Sequence, residues 1–312
     1  MSASPQAQLS QLYKNIAQVI LGKRDAVMLT IAACICRGHV LVEDVPGTGK
    51  TMLARALAKS MSAEFKRLQC TPDMLPTDVT GVSVFNQQAG EFEFAPGPVF
   101  TNILLADEVN RTTPRTQSAL LECMAEGQVT VEGRTHRMED FFMVVATQNP
   151  VEFAGTYPLP EAQLDRFFMR IRLGYPSLDD EVGVMSAQRH THPIDSLQPV
   201  LGPDSLLAIQ RAVADVTVSA DVQRYIARIV RATREHPDLE LGASPRGSIA
   251  LMKAAQAVAL IRGRDFVEPR MVKQAALPVL AHRLIPRAGI QATGKSAEAV
   301  LRGILAEIEV PA

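Results

Sequence analysis

A glycine-rich stretch that ends in lysine and threonine is the part of the sequence best suited to bind phosphate. Residues 39–51 form a short apolar run that breaks into glycines and ends in Lys50-Thr51. Gly47 and Gly49 lack a Cβ, so the backbone can direct its N–H groups at phosphate oxygens, at the positive end of the helix predicted to follow. Lys50 would reach the β- and γ-phosphates, and Thr51 would bind Mg²⁺. The stretch therefore predicts a phosphate-binding loop.

One position of this loop departs from the usual phosphate-loop pattern. The pattern has a glycine five residues before Gly49, where this chain has Asp44. Because the core from Gly47 to Thr51 is intact, we treat Asp44 as a tolerated variation. The plain alternative is a glycine-rich turn between a strand and a helix.

Two adjacent carboxylates follow another apolar run. Asp107 and Glu108 come directly after Ile103-Leu104-Leu105-Ala106, which is typical of a strand. In a phosphate-loop protein, Mg²⁺ and the attacking water lie at this carboxyl edge of the sheet. Asp107 would hold the metal, and Glu108 would accept the proton of the water. The alternative is a solvated pair of acids at a strand end.

An amide follows a further candidate strand. The run Phe142 to Ala146 continues into Thr147-Gln148-Asn149-Pro150. An amide at this edge can hydrogen-bond both the γ-phosphate and the attacking water, which gives Asn149 a sensing role. Taken alone, Asn149 before Pro150 would indicate only a turn.

Strands that alternate with helices must position these groups. The alternation predicts an α/β fold with a parallel five-stranded sheet and helices on both faces. Residues 9–37 are predicted to be helical, with a break at Leu21-Gly22, and they lead into the strand before the phosphate loop. The other four strands are expected at Phe65–Cys70, Ile103–Ala106, Phe142–Ala146 and Phe168–Arg172.

Two β-hairpins are predicted as insertions in this alternation. In the first, Val82–Phe85 and Glu91–Phe94 flank Gln88-Ala89-Gly90. In the second, Val129–Val131 and Thr135–Met138 flank a Glu-Gly-Arg turn, which is a weaker signal. One interpretation is that both hairpins only decorate the surface, which would leave their apolar faces unexplained. The other is that these faces contact a partner or a neighbouring subunit.

The last third of the chain differs in composition from the rest. Strand signals end near Tyr175, and residues 204–312 are rich in Ala, Leu, Ile, Val and Arg at helical spacing. We therefore predict an α/β core over residues 1–192, a linker over 193–203 and an all-helical domain over 204–312.

Charge, apolar runs and cysteine content argue against several classes of protein. The chain has 312 residues and a net charge of −1, so no bulk attraction to nucleic acid or to an anionic membrane is expected. The longest apolar run, Ala26 to Cys36, is far shorter than the roughly 20 residues of a membrane span. Met1 to Gln11 lacks a signal-peptide pattern. The four cysteines show neither a Cys-x-x-Cys pairing nor a metal-ligand spacing, and a reduced cytoplasmic compartment fits this best.

Together, these motifs resemble those of the AAA+ ATPases, and within them the MoxR family. Gly47-Thr48-Gly49-Lys50-Thr51 is similar to the Walker A motif, and Leu105–Arg111 resembles the Walker B segment. Further similar stretches are Thr116–Glu122, Ala146–Pro150 and Leu159–Phe167. The resemblance covers nearly the whole chain and implies an AAA+ P-loop domain followed by an all-helical lid.

The resemblance also implies roles for site residues. Arg166 is similar to the arginine finger, which would reach the γ-phosphate bound by a neighbouring subunit. Arg246 resembles the sensor 2 arginine of the lid and would contact the phosphates from within the same subunit. Both would offer fixed cationic donors to the charge that develops in phosphoryl transfer, and the alternative for either is a surface ion pair. The implied nucleotide-binding residues are Ile20 and Gly22 on the adenine side, Pro46, Gly47, Thr48, Gly49, Lys50, Thr51 and Met52 in Walker A, and Arg246 in the lid.

For function, the resemblance implies an ATPase that uses ATP and Mg²⁺. It implies a homo-oligomeric ring, a hexamer, that remodels or matures a protein client in a chaperone-like way. A von Willebrand A-type domain, with which MoxR-like proteins often work, would be a separate partner chain, because this sequence lacks an Asp-x-Ser-x-Ser signature. The two hairpins resemble the helix 2 insert and the pre-sensor 1 hairpin.

Three other functions stay open at this point. A nucleotide-switched binding module with slow turnover is disfavoured, because it needs neither Glu108 as a base nor Arg166 as a finger. A nucleic-acid motor is disfavoured because residues 204–312 hold 15 Lys and Arg against 11 Asp and Glu, which is a modest excess for a surface that binds nucleic acid. A chelatase-type ATPase subunit is the third.

Overall fold

The computed structural model describes residues 4–150, 155–189, 191–289 and 296–311. The strands are β1 (Val40–Glu43), β2 (Phe65–Gln69), β3 (Gly81–Asn86), β4 (Glu91–Pro96), β5 (Ile103–Asp107), β6 (Gln128–Val131), β7 (Arg134–Arg137), β8 (Met143–Gln148), β9 (Met169–Ile171), β10 (Leu239–Leu241) and β11 (Ile285–Pro286). The helices are α1 (Pro5–Ala17), α2 (Arg24–Ile35), α3 (Lys50–Ser60), α4 (Pro76–Thr80), α5 (Pro114–Glu126), α6 (Glu161–Leu164), α7 (Leu178–Ala187), α8 (Pro193–Ser196), α9 (Pro203–Asp215), α10 (Ala220–Glu235), α11 (Pro245–Ile261), α12 (Pro269–Leu280) and α13 (Ala297–Glu307).

Five strands form the central sheet in the order β2-β5-β8-β1-β9, and every pairing in it is parallel. The predicted five-stranded parallel sheet is confirmed. Because all five strands run in one direction, the segments that follow them meet at one edge, which we call the P-loop edge. The segments that precede the strands meet at the opposite edge, which we call the N-terminal edge.

Strand side chains alternate between two apolar cores, as the pleat of a sheet requires. Val40 and Val42 of β1 point into a core formed with α1, α2, α3 and the C-terminal helices. Leu41 points into the other core, which α5 covers. Helices therefore cover both faces of the sheet, as predicted.

The two predicted hairpins are confirmed as antiparallel pairs, β3 with β4 and β6 with β7. They contact each other through Phe94 and His136, whose rings stack with centroids 3.8 Å apart. The first hairpin leaves Val84, Phe85 and Phe92 half or more exposed.

The C-terminal region is helical apart from one short antiparallel ladder between β10 and β11. These strands of three and two residues are too short to produce an alternating pattern, so the sequence did not predict them. Residues 193–203, predicted as a linker, are packed rather than free: Ile194, Leu197 and Leu201 are buried. Lys59 Nζ also donates to the carbonyl oxygen of Ile194 at 2.8 Å. No helix in the described part of the chain is long and apolar enough to cross a membrane.

Candidate active site

The glycine-rich stretch forms an open loop between β1 and α3. Gly47 and Gly49 have φ angles of 81° and 93°, a left-handed backbone that glycine adopts without strain. Among described residues beyond the chain neighbours, no heavy atom lies within 4 Å of a Cβ built on either glycine. The described chain provides no side-chain cap for α3. The first N–H groups of α3 are therefore available to an anion.

The Lys50 ammonium group is turned back onto this loop. Its Nζ donates to the carbonyl oxygens of Asp44 at 2.7 Å and Val45 at 2.9 Å. Partial burial lowers the pKa of Lys50, while the nearby carboxylates of Asp44, Asp107 and Glu108 act in the opposite direction. Lys50 would have to leave the two carbonyl groups to reach a phosphate.

Asp44 ties the loop to the segment after β9. Its carboxylate accepts hydrogen bonds from the backbone N–H groups of Val45 (2.9 Å), Leu173 (2.8 Å) and Gly174 (2.5 Å). The side chain is buried, and a glycine at this position could make none of these bonds. Asp44 therefore holds the loop against the segment after β9. This structural role could not be recognised by comparing the sequence with the usual phosphate-loop pattern. Its partner Leu173 lies 129 residues further along the chain.

Thr147 places the two carboxylates at the P-loop edge. Asp107 ends β5, and Glu108 follows it with a φ of 59°, which is strained for a residue other than glycine. Thr147 Oγ1 donates to Asp107 Oδ1 at 2.6 Å and accepts from the Glu108 N–H at 2.8 Å. Thr147 is fully buried in β8, so it positions both acids. This role of Thr147 was not predicted from the sequence.

Donors from β2 and from the turn after β5 engage the same carboxylates. Arg67 Nη2 lies 2.6 Å from Asp107 Oδ2. Gln69 Nε2 donates to Glu108 Oε2 at 3.2 Å, and Arg111 Nη1 lies 3.2 Å from the same oxygen. Arg67 and Gln69 are two residues apart in β2, so they share one face of the strand. These three contacts were not predicted from the sequence.

The remaining predicted residues of this site lie around the loop. Asn149 is buried directly after β8, next to β1 at the P-loop edge. Ile20 and Gly22 lie between α1 and α2, and a Cβ on Gly22 would meet the carboxylate of Asp180 in α7. Contact of Ile20 and Gly22 with an adenine stays a prediction.

Arg166 lies at the N-terminal edge, away from the loop of its own chain. It lines a surface cleft of about 410 Å³ together with His39 and Phe168, which directly precede β1 and β9. The glycine-rich loop instead follows β1, and a strand of four residues is about 13 Å long. Arg166 and the loop are therefore separated by the length of the sheet.

Arg246 lies beside Arg166, at the N-terminal edge. It is in the first turn of α11, lines the same cleft, and places Nη1 3.8 Å from Asp165 Oδ2. Its side chain is 62% exposed. In this structure Arg246 lies at the opposite edge of the sheet from the loop of its own subunit, and its contact with phosphates stays a prediction.

A buried arginine explains this placement. Arg283, in the 3-10 turn that follows α12, binds Asp165 Oδ1 through Nε at 2.7 Å and the Phe167 carbonyl oxygen through Nη2 at 2.7 Å. Burial lowers the pKa of Arg283, and its bond to Asp165 opposes that shift. These bonds hold the C-terminal helices on the N-terminal edge, where α11 brings Arg246 next to Arg166.

Comparisons with known proteins find relatives that match most of the chain. A family model described as "ATPase family associated with various cellular activities (AAA)" matches residues 39–169, and a model described as "AAA lid domain" matches residues 231–304. The chain is 53% identical to YeaC of Bacillus subtilis over 97% of this chain and 95% of that protein. It is 39% identical to "Chaperone MoxR1" of Mycobacterium tuberculosis, over 95% of this chain and 81% of that one. A crystal structure of a Cytophaga hutchinsonii protein matches with a TM-score of 0.92 at 38% identity and covers 99% of this chain and 96% of that chain.

Proposed function

Since the chain belongs to the MoxR family of AAA+ ATPases, we propose that it hydrolyses ATP with Mg²⁺ in a homo-oligomeric ring, where a neighbouring copy completes each active site. The chain is an ATPase by its family. The relative named as a chaperone supports a chaperone-like role.

The observation that carries the ring proposal is the position of two groups of residues at opposite edges of the sheet. Lys50, Asp107 and Glu108 lie at the P-loop edge, whereas Arg166 and Arg246 lie at the N-terminal edge. A second copy that docks head to tail would bring its N-terminal edge to the P-loop edge of the first, and repetition of this contact can close a ring. Both arginines would then act on the nucleotide of the neighbour.

The residues of the site would have different roles in hydrolysis. Backbone N–H groups of the loop would hold phosphate oxygens, and Lys50 would join them after leaving the Asp44 and Val45 carbonyls. Glu108 would accept the proton of the attacking water. Arg166 and Arg246 of the neighbour would stabilise the charge that develops on the transferred phosphoryl group.

The oxygen donors near the loop fit Mg²⁺. Thr51 offers a hydroxyl and Asp107 a carboxylate, which are donor types that this ion prefers. In the described ranges, no group of three or more His, Cys, Asp or Glu could hold a metal by itself. Such a site suits an ion that takes one or two protein oxygens and completes its shell with phosphates and water. When bound, Mg²⁺ neutralises charge on the phosphates.

The composition of the complete assembly is proposed from the family resemblance. It would hold six copies, act on a protein client, and work with a separate chain that carries a von Willebrand A-type domain. The exposed Val84, Phe85 and Phe92 of the first hairpin support contact with another protein, because exposed apolar clusters commonly mark such contacts.

ATP hydrolysis per subunit, measured against protein concentration, tests the proposal. We expect activity to rise with concentration in parallel with the assembled fraction seen by sedimentation velocity with ATP and Mg²⁺. A purified monomer with full activity at the lowest concentration would contradict it.

The Arg67→Gln substitution is expected to strengthen divalent-cation binding. Arg67 occupies one oxygen of Asp107 and adds a positive charge beside the predicted metal site. Removing that charge should raise the affinity for Mn²⁺, used as a probe in the presence of ADP, by about threefold to tenfold. Electron paramagnetic resonance reports free Mn²⁺ directly.

Two control variants should bind Mn²⁺ like the wild type. Arg67→Lys keeps the charge, and Arg55→Gln changes an exposed position on α3. Weaker Mn²⁺ binding by Arg67→Gln would mean that Arg67 supports Asp107 rather than competes for it.

A further inference from the structure

Helix α7 presents an apolar stripe to solvent. None of its 10 residues, all of them described, is buried. Leu178, Val182 and Met185 are 79%, 50% and 64% exposed, and their spacing of four and three residues puts them on one face. A helix this short is marginal by itself in water and depends on packing for stability. A partner that covers the stripe would supply that packing.

The opposite face of α7 rests on the α1–α2 connection. A Cβ on Gly22 would meet Asp180, and a Cβ on Gly183 would lie 3.3 Å from Leu21 Cδ1. At 100° per residue, Asp180 lies about 160° around the helix from Val182, and Gly183 lies about 160° from Met185. The stripe therefore points away from its own subunit.

Acidic side chains accompany the stripe. Asp179, Asp180 and Glu181 fall in the first turn of α7, and the helix contains no Lys or Arg. Asp179 and Glu181 are exposed on either side of the stripe. The surface is thus apolar in its centre and negative at its borders.

A surface of the opposite charge surrounds the cleft at the N-terminal edge, and we call it the arginine face. It consists of Arg37, Arg166, Arg246 and Lys253 around Ile249, which is 53% exposed. An apolar centre with positive borders is complementary to α7 in both respects.

We propose that α7 docks on the arginine face of a neighbouring copy of this chain. The inference rests on the proposed function, in which the neighbour's Arg166 reaches the loop of the first copy. The start of α7 is anchored beside that loop, because Asp44 holds the N–H groups of Leu173 and Gly174, and Lys23 Nζ donates to the Tyr175 carbonyl oxygen at 2.5 Å. A copy that brings Arg166 to the loop therefore also brings its arginine face to α7.

Substitutions with a matched control test the apolar contact in the full chain. Val182→Asp should raise the protein concentration needed for half-assembly with ATP and Mg²⁺ by about tenfold or more, since it would bury a carboxylate in the contact. Val310→Asp changes the same residue type at a similar exposure, 44%, elsewhere on the surface, and should assemble like the wild type. Circular dichroism and thermal unfolding of the monomers would show that both variants are folded.

Charge reversal tests which surface α7 meets. Lys253→Glu and Glu181→Lys should each weaken assembly, and a chain with both changes should recover most of it. Recovery of this kind requires the two side chains to lie near each other across the contact.

Cross-linking tests the direction of the contact. In a Cys36→Ser background, Val182→Cys mixed with Ile249→Cys should give covalent dimers with a short bis-maleimide reagent, and the double variant should give a ladder of larger species. Neither single variant should cross-link alone, because the contact joins two different surfaces.

The outcomes separate this inference from the proposed function. If the wild type does not assemble, the ring proposal fails. Suppose that the wild type assembles, that Val182→Asp and Lys253→Glu assemble as well as the wild type, and that the cysteine pair does not cross-link. Then α7 does not dock on the arginine face, and the ring proposal stands.

Discussion

The Glu108→Gln variant should bind ATP as the wild type does and lose nearly all hydrolysis. A general base contributes about 10²-fold to 10⁴-fold to a rate, so steady-state turnover should fall by at least about 100-fold. The amide that replaces the carboxylate has nearly the same shape and can still contact Gln69 and Arg111, so the loop and the sheet should not change. Binding of a fluorescent ATP analogue and phosphate release, measured on the same samples, give the two quantities.

Glu307→Gln is the matched control for this result, because Glu307 is exposed at the end of α13, in the C-terminal region. It should hydrolyse ATP at the wild-type rate. If Glu108→Gln retained more than about a tenth of wild-type turnover, another group would be the base. The chain would then be closer to the switch-like module in which Glu108 has no role.

The sheet was predictable because β1, β5 and β8 are short, mainly apolar runs and helical stretches separate the strands, a pattern that depends on local sequence. Asp107, Glu108 and Asn149 could be placed at one edge for the same reason: Asp107 ends a strand, Glu108 and Asn149 each directly follow one, and parallel strands end together. The hairpins were predictable from turn residues between alternating segments. In each case the information lies within a short stretch of the chain.

The supporting contacts of the site depend instead on pairings between distant segments. Thr147 reaches Asp107 because β8 pairs with β5, and Arg67 reaches it because β2 pairs with β5 on the other side. Nothing in the residues around Thr147 or Arg67 indicates which carboxylate they will meet. These contacts could be predicted only after the order of the strands in the sheet was known.

The position of Arg246 depends on how the lid docks, and that is decided by side chains far apart in sequence. Arg283 and Asp165, which join the lid to the core, are 118 residues apart. The motif predicts that Arg246 contacts a phosphate, but it does not state whose phosphate. Because Arg246 lies at the N-terminal edge, we propose a contact between two subunits in place of the one expected within a single subunit.

The Arg166→Ala variant should lose hydrolysis and regain it when mixed with Glu108→Gln. Removal of an arginine finger lowers turnover by about 10³-fold or more, because the developing phosphoryl charge loses its cationic partner. In a ring, a site built from an Arg166→Ala subunit keeps Glu108 and would take its arginine from a Glu108→Gln neighbour. Random mixing at equal concentration gives about one quarter of contacts of this kind, so activity should recover to about a quarter of the wild type.

Arg224→Ala provides the control for charge and size, since Arg224 is 77% exposed on α10. By itself, this variant should have wild-type turnover. Mixed with Glu108→Gln, it should give only the activity that the Arg224→Ala subunits contribute.

Arg246→Ala mixed with Glu108→Gln should also recover activity if Arg246 acts on the neighbour. If both arginine variants assemble with Glu108→Gln and no activity returns, the arginines do not work across the subunit contact. The separation of the two edges would then need a different explanation, such as a movement of the lid within one chain.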